Sequence, residues 1–155
     1  MKVLMLSTDR KLLEQGSAVE QRTLAYAEKL GSITVLLAGT GAATQRHVGG
    51  QLQIRYPGGT SKAVSFFTML RAAWILARTE QPDIITAQDP FFVGMIGVIA
   101  SFVAHAPLQV QVHTNYFSRA FIFESFRHTV QFCMAALVLP FATCVRVVTH
   151  ELARS

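Results

Sequence analysis

Several polar residues that could act on a ligand follow apolar runs of the sequence. His113, Thr114 and Asn115 come directly after the run Leu108–Val112, and Asp89 follows a run that ends at Ala87. An imidazole can polarise or orient a hydroxyl group near neutral pH, and a carboxylate can accept hydrogen bonds from hydroxyl groups. If the two runs are neighbouring strands, these residues predict a site for a hydroxyl-bearing ligand.

A second candidate site is the loop between residues 8 and 17, TDRKLLEQGS. Ser17 and Glu20 have the spacing of a capping box, which predicts a helix that starts at Ser17 and stops at Gly31. The start of a helix directs N–H groups and a positive dipole end outward, and Gly16 would let a phosphate or a sugar approach closely. Gly16 and Ser17 are therefore candidate ligand-binding residues.

A purely structural role is the alternative for each candidate. Gly16 could serve only the turn, Asp89 could serve only as the N-cap of a helix, and His113 could be an ordinary structural histidine. The position of these residues at the edge of the predicted sheet favours the functional interpretation.

The apolar runs and the helical patterns between them predict the elements that position these residues. Strands that alternate with helices at this spacing indicate right-handed crossovers. The predicted fold class is α/β, a Rossmann-like doubly wound, mostly parallel sheet of about six strands, whose ligands bind outside the carboxyl ends of the strands. The expected strands are Lys2–Ser7, Ile33–Gly39, Leu52–Gly59, Asp83–Ala87, Leu108–Thr114 and Cys144–Thr149.

Helical periodicity also predicts which faces are buried. Asp89 and Pro90 are expected as N-cap and first helical position of a buried helix that starts at Phe91. The first helix is expected to bury Val19, Thr23, Tyr26, Ala27 and Leu30, and the second to bury Ala63, Phe66, Phe67, Leu70, Trp74 and Ala77.

The composition suits one domain of which part of the surface is covered. The chain has 155 residues, 51% hydrophobic and 15% charged, and its 14 basic and 9 acidic residues give a net charge of +5. The basic residues are scattered, which suits anionic ligands or an acidic membrane surface better than a nucleic acid. We therefore expect no nucleic-acid partner.

The cysteines and the apolar segments bear on the location of the protein. Cys133 and Cys144 are predicted to be buried free thiols in a reducing compartment, and no secretory signal is recognised, so a cytoplasmic location is expected. The segment Phe91–Pro107 is too short to span a membrane and reads as a buried helix. The sequence is compatible with two predictions for Val130–Val145, which Pro140 interrupts: burial in the protein or contact with a membrane.

The sequence lacks complete motifs of several other enzyme classes. GTGAATQ, residues 39–45, lies after the second predicted strand and has Thr44 where a dinucleotide site needs Gly or Ala, so a flexible loop is predicted there. HELAR, residues 150–154, lacks the second histidine of a zinc motif. We find no G-x-S-x-G, no Walker A motif and no metal cluster. A nucleotide-dependent oxidoreductase is supported only by fold analogy.

Four stretches occur together in a familiar order: KVLMLSTDR with its glycine-containing loop, PDIITAQDPFFVG, QVQVHTNYFS and CVRVVTHELARS. The ordered set resembles the amino-terminal domain of the retaining glycosyltransferases of family 4, which have the two-domain GT-B architecture. The resemblance covers essentially the whole chain. Residues 1–155 are accordingly expected to form one Rossmann-like domain.

The resemblance implies a function and roles for the candidate residues. Such a domain mainly binds the acceptor, while a second domain binds a nucleoside-diphosphate sugar, and the transfer needs no catalytic metal or other cofactor. By position, His113 would contact the transferring sugar, Asp89 the acceptor and Gly16 the donor diphosphate or the acceptor. The region from Arg119 to Pro140, with Phe121–Leu139 as its apolar part, would touch a membrane or a lipid-linked acceptor.

The sequence also departs from the family pattern. Gly16 stands without a second glycine, which puts the phosphate role of its loop in doubt, and no donor domain with an E-x7-E element is present. The chain is therefore expected to be a truncated fragment that is inactive by itself. The alternative is a non-catalytic α/β module that docks on a partner subunit or on a membrane.

Overall fold

The structure is a computed structural model that describes residues 1–113 and 123–147. Thr114 and Asn115, two of the candidate site residues, lie outside these ranges, and so do the last two residues of the sixth predicted strand and the whole of HELAR. The predictions for these residues therefore stay predictions.

Six parallel strands form the body of one sheet, as the α/β prediction required. They are β1 (Lys2–Ser7), β2 (Ser32–Leu37), β4 (Leu52–Tyr56), β5 (Ile84–Ala87), β6 (Leu108–Val112) and β7 (Cys144–Val147). Their spatial order is β4-β2-β1-β5-β6-β7, so β1 is central and the order reverses there: β2 and β4 lie on one side of it and β5, β6 and β7 on the other.

A seventh strand, β3 (Thr44–Val48), pairs antiparallel with β4 at the edge of the sheet. We predicted a flexible loop for residues 39–45, and this is wrong for Thr44 and Gln45. Gly49 and Gly50 have φ values of +59° and +77°, the left-handed conformation that a tight hairpin turn needs. The glycine pair between two short alternating runs was the signal for a hairpin.

Within residues 1–113 and 123–147, four α-helices of 13 or more residues cover the sheet. They are α1 (Ala18–Leu30), α2 (Lys62–Thr79), α3 (Phe92–Ala104) and α4 (Phe126–Val138). Helix α1 packs over β2 and β4, whereas the other three lie side by side on the opposite face. Along β1, Leu4 and Leu6 accordingly face the three helices, and Val3 lies on the face that α1 covers.

The buried faces of α1 and α2 differ from the predicted ones. In α1 the buried residues are Glu20, Thr23 and Ala27, while Tyr26 and Leu30 are exposed. In α2 the buried face is also displaced from the predicted one. Small residues together with Met69 and Leu76 pack on the sheet, while Phe67 and Trp74 point outward. Its buried residues are Ser65, Met69, Ala73, Leu76 and Ala77, and Ala63, Phe67 and Trp74 are exposed.

Helix α3 starts two residues later than predicted. Its N-cap is Phe91, so Asp89 is not the N-cap and Pro90 is not the first helical residue. Glycines let this helix pack closely: a Cβ at Gly94 would lie 2.8 Å from the Asp89 carbonyl oxygen, and one at Gly97 would lie 3.0 Å from Leu108. Helix α3 therefore holds the segment that carries Asp89 against its first turn.

The cysteine prediction is wrong in one respect. Cys133 and Cys144 are free, but both are exposed rather than buried. Cys133 lies on the outer face of α4 and Cys144 begins the edge strand β7, so neither reaches the core. Across residues 1–113 and 123–147, none of the helices combines the length and the apolar character needed to cross a membrane.

Candidate functional site

A chain of hydrogen bonds joins the carboxyl ends of β1, β5 and β6. The buried Ser7 hydroxyl donates to Gln88 Oε1 at 2.6 Å and accepts from the Asp9 N–H at 3.0 Å. The Gln88 N–H donates to the Leu6 carbonyl at 3.1 Å, and the Gln88 carbonyl oxygen lies 3.1 Å from Nε2 of His113. Gln88 therefore links β1 to His113 and orients the imidazole.

This contact determines which nitrogen of His113 is available to a ligand. A carbonyl oxygen can only accept, so Nε2 carries the hydrogen and, in the neutral ring, Nδ1 is left as an acceptor. His113 is exposed, so a ligand can reach this nitrogen. The ring can accept a hydrogen bond from a hydroxyl group, or donate one when it is protonated.

Asp89 lies beside His113 at the same edge. Its Oδ1 accepts from the Phe91 N–H at 2.8 Å, and the side chain is half-buried. Burial raises the pKa of Asp89 above its ordinary value of 3.8, while the hydrogen bond from Phe91 and the charge of His113 act in the opposite direction. The structure thus brings Asp89 and His113 together within electrostatic range.

The raised pKa predicts a pH-dependent gain of stability in Asp89→Asn. The folded protein holds the Asp89 proton at pH values where the unfolded chain has released it, so the wild type loses stability as pH rises from 3.8 through the raised pKa. Asparagine stays neutral and keeps an oxygen for the Phe91 N–H. We expect a higher urea midpoint for the variant at pH 7 and a shrinking difference as the pH falls toward 3.8.

Urea titrations of both proteins at several pH values would measure this difference. Asp83→Asn, an exposed aspartate, is the matched control and should show no such convergence. A stability difference of Asp89→Asn that stayed constant with pH would contradict the burial argument.

Gly16 and Ser17 lie apart from Asp89 and His113. Ser17 caps α1 as predicted, since its Oγ accepts from the Glu20 N–H at 3.2 Å. The Glu20 carboxylate accepts from the Gly16 N–H and also lies 2.7 Å from Arg46 of β3. Gly16 lines a cleft of about 420 Å³ toward β3, and its N–H is already used by a carboxylate.

The glycines of GTGAATQ have structural contacts. A Cβ at Gly39 would lie 3.0 Å from the Tyr56 hydroxyl, and Gly41 pairs with Gly59 through two backbone hydrogen bonds of 2.9 and 3.0 Å. The segment continues into β3 instead of a helix. This geometry supplies no helix start for a pyrophosphate, which a dinucleotide site requires.

A groove of about 600 Å³ runs from His113 along the sheet beside α1. The part of its sheet side that β6 forms is polar, because Gln109, Gln111 and His113 alternate with the buried residues of that strand. Among the residues that the structure describes, no three His, Cys, Asp or Glu side chains lie together as a metal site would need.

Sequence reasoning missed Gln88, which connects Ser7 to His113. A signal was present, because parallel strands covered on both faces are apolar throughout, whereas QVQVH alternates. That alternation indicated that one face of β6 is polar. Polar partners for its residues were then to be expected at the end of the neighbouring strand β5, where Gln88 lies.

Comparison with known proteins adds a family and a fold. The family model described as a glycosyl transferase 4-like domain matches residues 12–155. No curated protein matches the chain.

Two crystal structures of Anabaena Alr3699/HepE align with 94% of the chain. The complex with UDP and glucose has a TM-score of 0.56 and 21% sequence identity, and the complex with UDP-glucose has 0.51 and 19%. The aligned part is 37% and 36% of those chains, so this chain spans little more than a third of their length. At this identity the similarity shows the Rossmann-like α/β fold.

Proposed function

This chain belongs to the family of glycosyl transferase 4-like domains, and from that premise we propose that it is the acceptor-side domain of a retaining glycosyltransferase. The donor is a nucleoside-diphosphate sugar held mainly by a second domain, and the acceptor is a glycan or lipid-linked glycan of the cell envelope. The UDP and UDP-glucose in the Alr3699/HepE complexes support a donor of this class. The reaction takes place in the cytoplasm and requires no metal or other cofactor.

The observation that carries this proposal is the pairing of His113 with Asp89 at the carboxyl edge of the sheet. Gln88 fixes the imidazole so that Nδ1 is free to contact a hydroxyl of the transferring sugar. The half-buried Asp89 carboxylate accepts a hydrogen bond from the acceptor hydroxyl, and its raised pKa suits the proton that this hydroxyl releases. In this proposal Gly16, Ser17, Thr114 and Asn115 contribute further contacts to the donor or acceptor.

The test uses the complete enzyme, in which this domain is joined to its donor domain. It is incubated with a panel of nucleoside-diphosphate sugars and envelope glycans, and the release of nucleoside diphosphate is measured. We expect acceptor-dependent release with one donor, and a product whose anomeric configuration by NMR equals that of the donor. An inverted product would refute the retaining mechanism, and release of diphosphate without glycosylated product would refute the transfer function.

A second candidate function is docking on a membrane surface, which the outer face of α4 favours. Phe126, Val130, Cys133 and Leu137 follow the i, i+4, i+7, i+11 spacing of one helical face, and all four are exposed. Phe126 is 85% and Leu137 66% exposed. Apolar side chains exposed along one helix are typical of interfacial helices, and the chain's net charge of +5 suits an anionic surface.

Replacing Phe126 and Leu137 together by serine should lower binding to anionic vesicles several-fold, because the largest apolar side chains of this stripe are lost. Vesicle co-sedimentation at low salt measures the bound fraction. Phe67→Ser, which removes an aromatic residue of the same 66% exposure from α2, is the matched control and should bind like the wild type. No binding of the wild type to anionic vesicles would exclude membrane docking.

A further inference from the structure

A separate cavity lies at the carboxyl edge of the sheet, where β1 and β2 end and where α2 and α3 begin. Its volume is about 310 Å³, at the lower end of the range of small-molecule pockets, which is about 300–1,000 Å³. Thr8 follows β1 in its wall, and Gly39 and Thr40 follow β2. The cavity therefore opens on the same edge as His113, but on the side of the sheet that α2 and α3 cover.

One wall of this cavity is aromatic and apolar. Phe66 of α2 and Phe92 of α3 meet edge to face with ring centroids 6.0 Å apart, and Met69 and Ile96 lie behind them. Phe92 is 61% exposed in the first turn of α3. An aromatic ring left in solvent at the mouth of a pocket offers apolar area to a ligand.

Two cations, Arg10 and Lys62, line the same cavity. Arg10 is held in place because its Nη2 donates to the Thr40 carbonyl at 2.9 Å and to the Tyr56 hydroxyl at 3.0 Å. A guanidinium has five N–H donors, so Arg10 retains three for a ligand. Lys62 is the first residue of α2, where the helix dipole disfavours a positive charge, so the stability of the helix does not explain it.

No acidic residue is among the described residues that line the cavity. Its positive charge is therefore not balanced within the cavity wall. The floor is rigid, because the Ser65 hydroxyl donates to the Gly39 carbonyl at 2.7 Å and accepts from the Gly39 N–H at 3.0 Å. A preformed pocket that is lined by both cations and aromatic rings favours a ligand that is both anionic and apolar.

We infer that this cavity binds an acceptor with an anionic group and an adjoining apolar chain, the anionic group between Arg10 and Lys62 and the chain against Phe66 and Phe92. This inference rests on the proposed function, since it names the class of acceptor. The end of β1 is two strands from the end of β6, about 10 Å at the usual strand spacing. The acceptor hydroxyl would reach His113 across the ends of β1 and β5.

The test measures binding of decyl phosphate to the 155-residue chain by calorimetry, below the concentration at which the probe forms micelles. Phe92→Ala and Lys62→Ala should each raise the Kd about 10-fold, because each removes one of the two side chains that hold the apolar chain or the anionic group. Decanol and inorganic phosphate, which carry only one half each, should bind at least about 10-fold more weakly than decyl phosphate.

Phe102→Ala is the matched control, because Phe102 is 62% exposed on the same helix but lies outside the cavity. Lys29→Ala, in the last turn of α1, is the control for charge. Both controls should bind decyl phosphate like the wild type. An unchanged Kd in Phe92→Ala, or an equal loss in Phe102→Ala, would overturn the assignment of the cavity.

Two results distinguish a failure of the cavity inference from a failure of the proposed function. If the complete enzyme transfers sugar but Phe92→Ala and Lys62→Ala leave its acceptor KM unchanged, the cavity inference fails and the transferase stands. If decyl phosphate binds in the cavity of an enzyme that transfers no sugar, the anionic apolar ligand stands and the transferase proposal fails.

Discussion

Replacing His113 by alanine in the complete enzyme of the proposed function is expected to lower the rate of sugar transfer about 100-fold or more, the usual effect of removing a positioned proton-transfer or hydrogen-bonding group. The loss should appear mainly in kcat, because Nδ1 is proposed to contact the sugar as it is transferred. Removal of this side chain should leave the fold intact, since His113 is exposed and its contact with the Gln88 carbonyl lies at the surface.

Two further variants separate a role toward the sugar from a structural role. In His113→Gln the amide nitrogen can replace Nε2–H and donate to the Gln88 carbonyl, but nothing replaces Nδ1. A merely structural histidine would therefore be rescued by glutamine, whereas a residue that contacts the sugar would not. His47→Ala, an exposed histidine on β3, is the control and should transfer sugar like the wild type. Normal transfer by His113→Ala would refute the role proposed for this residue.

Replacing Arg46 by alanine is expected to lower the free energy of unfolding by about 2–3 kcal/mol, because it leaves a buried carboxylate without its cation. Glu20 is 4% exposed at its side chain, and its Oε1 lies 2.7 Å from Arg46 Nη1 without any hydrogen bond to another described group. Arg46 also donates to the Leu12 carbonyl at 3.1 Å. Because Arg46 is itself 30% exposed, the expected cost is below that of a fully buried pair.

Denaturant titration of the single and double variants checks the cause of this loss. Glu20→Gln keeps an oxygen for the Gly16 N–H but removes the charge, so Glu20→Gln combined with Arg46→Ala should recover more than half of the lost stability. Arg22→Ala, an exposed arginine on α1, should change the stability by no more than about 0.5 kcal/mol. A double variant as unstable as Arg46→Ala alone would mean that lost packing, and not the buried charge, is responsible.

Local signals in the sequence were sufficient for most of the fold. The apolar and alternating runs identified all six parallel strands, and Lys2–Ser7 agrees to the residue because nearly the whole strand is apolar and mostly buried. The polar strand β3 has no such run and was missed, since its residues lie on an edge and are mostly exposed. The face of α2 was misjudged because hydrophobicity ranks Phe67 and Trp74 above Ala73 and Ser65, whereas the small side chains are the ones that are buried.

The candidate site was predictable where it depends on topology alone. The rule that ligands bind at the carboxyl ends of parallel strands was enough to expect His113 and Asp89 at one edge. The contact of Gln88 with His113 is made by its backbone carbonyl, which every residue has, so only the alternation in β6 and not the residue type at position 88 indicated it. The cavity between α2 and α3 could not be predicted either. Its lining depends on which face of α2 packs on the sheet, and helical periodicity predicted a different face.

The hairpin of β3 and β4 offers a position for a reporter group. Its turn lies at the amino ends of the parallel strands, since the Ile33 N–H donates to the Gln51 carbonyl at 2.9 Å, whereas His113 lies at their carboxyl ends. Gly50 is exposed, and a Cβ built on it has no neighbour within 4 Å. A short tag inserted at Gly50 would thus be separated from the reacting groups by the whole length of the sheet, and could immobilise the protein with its ligand-binding edge facing outward.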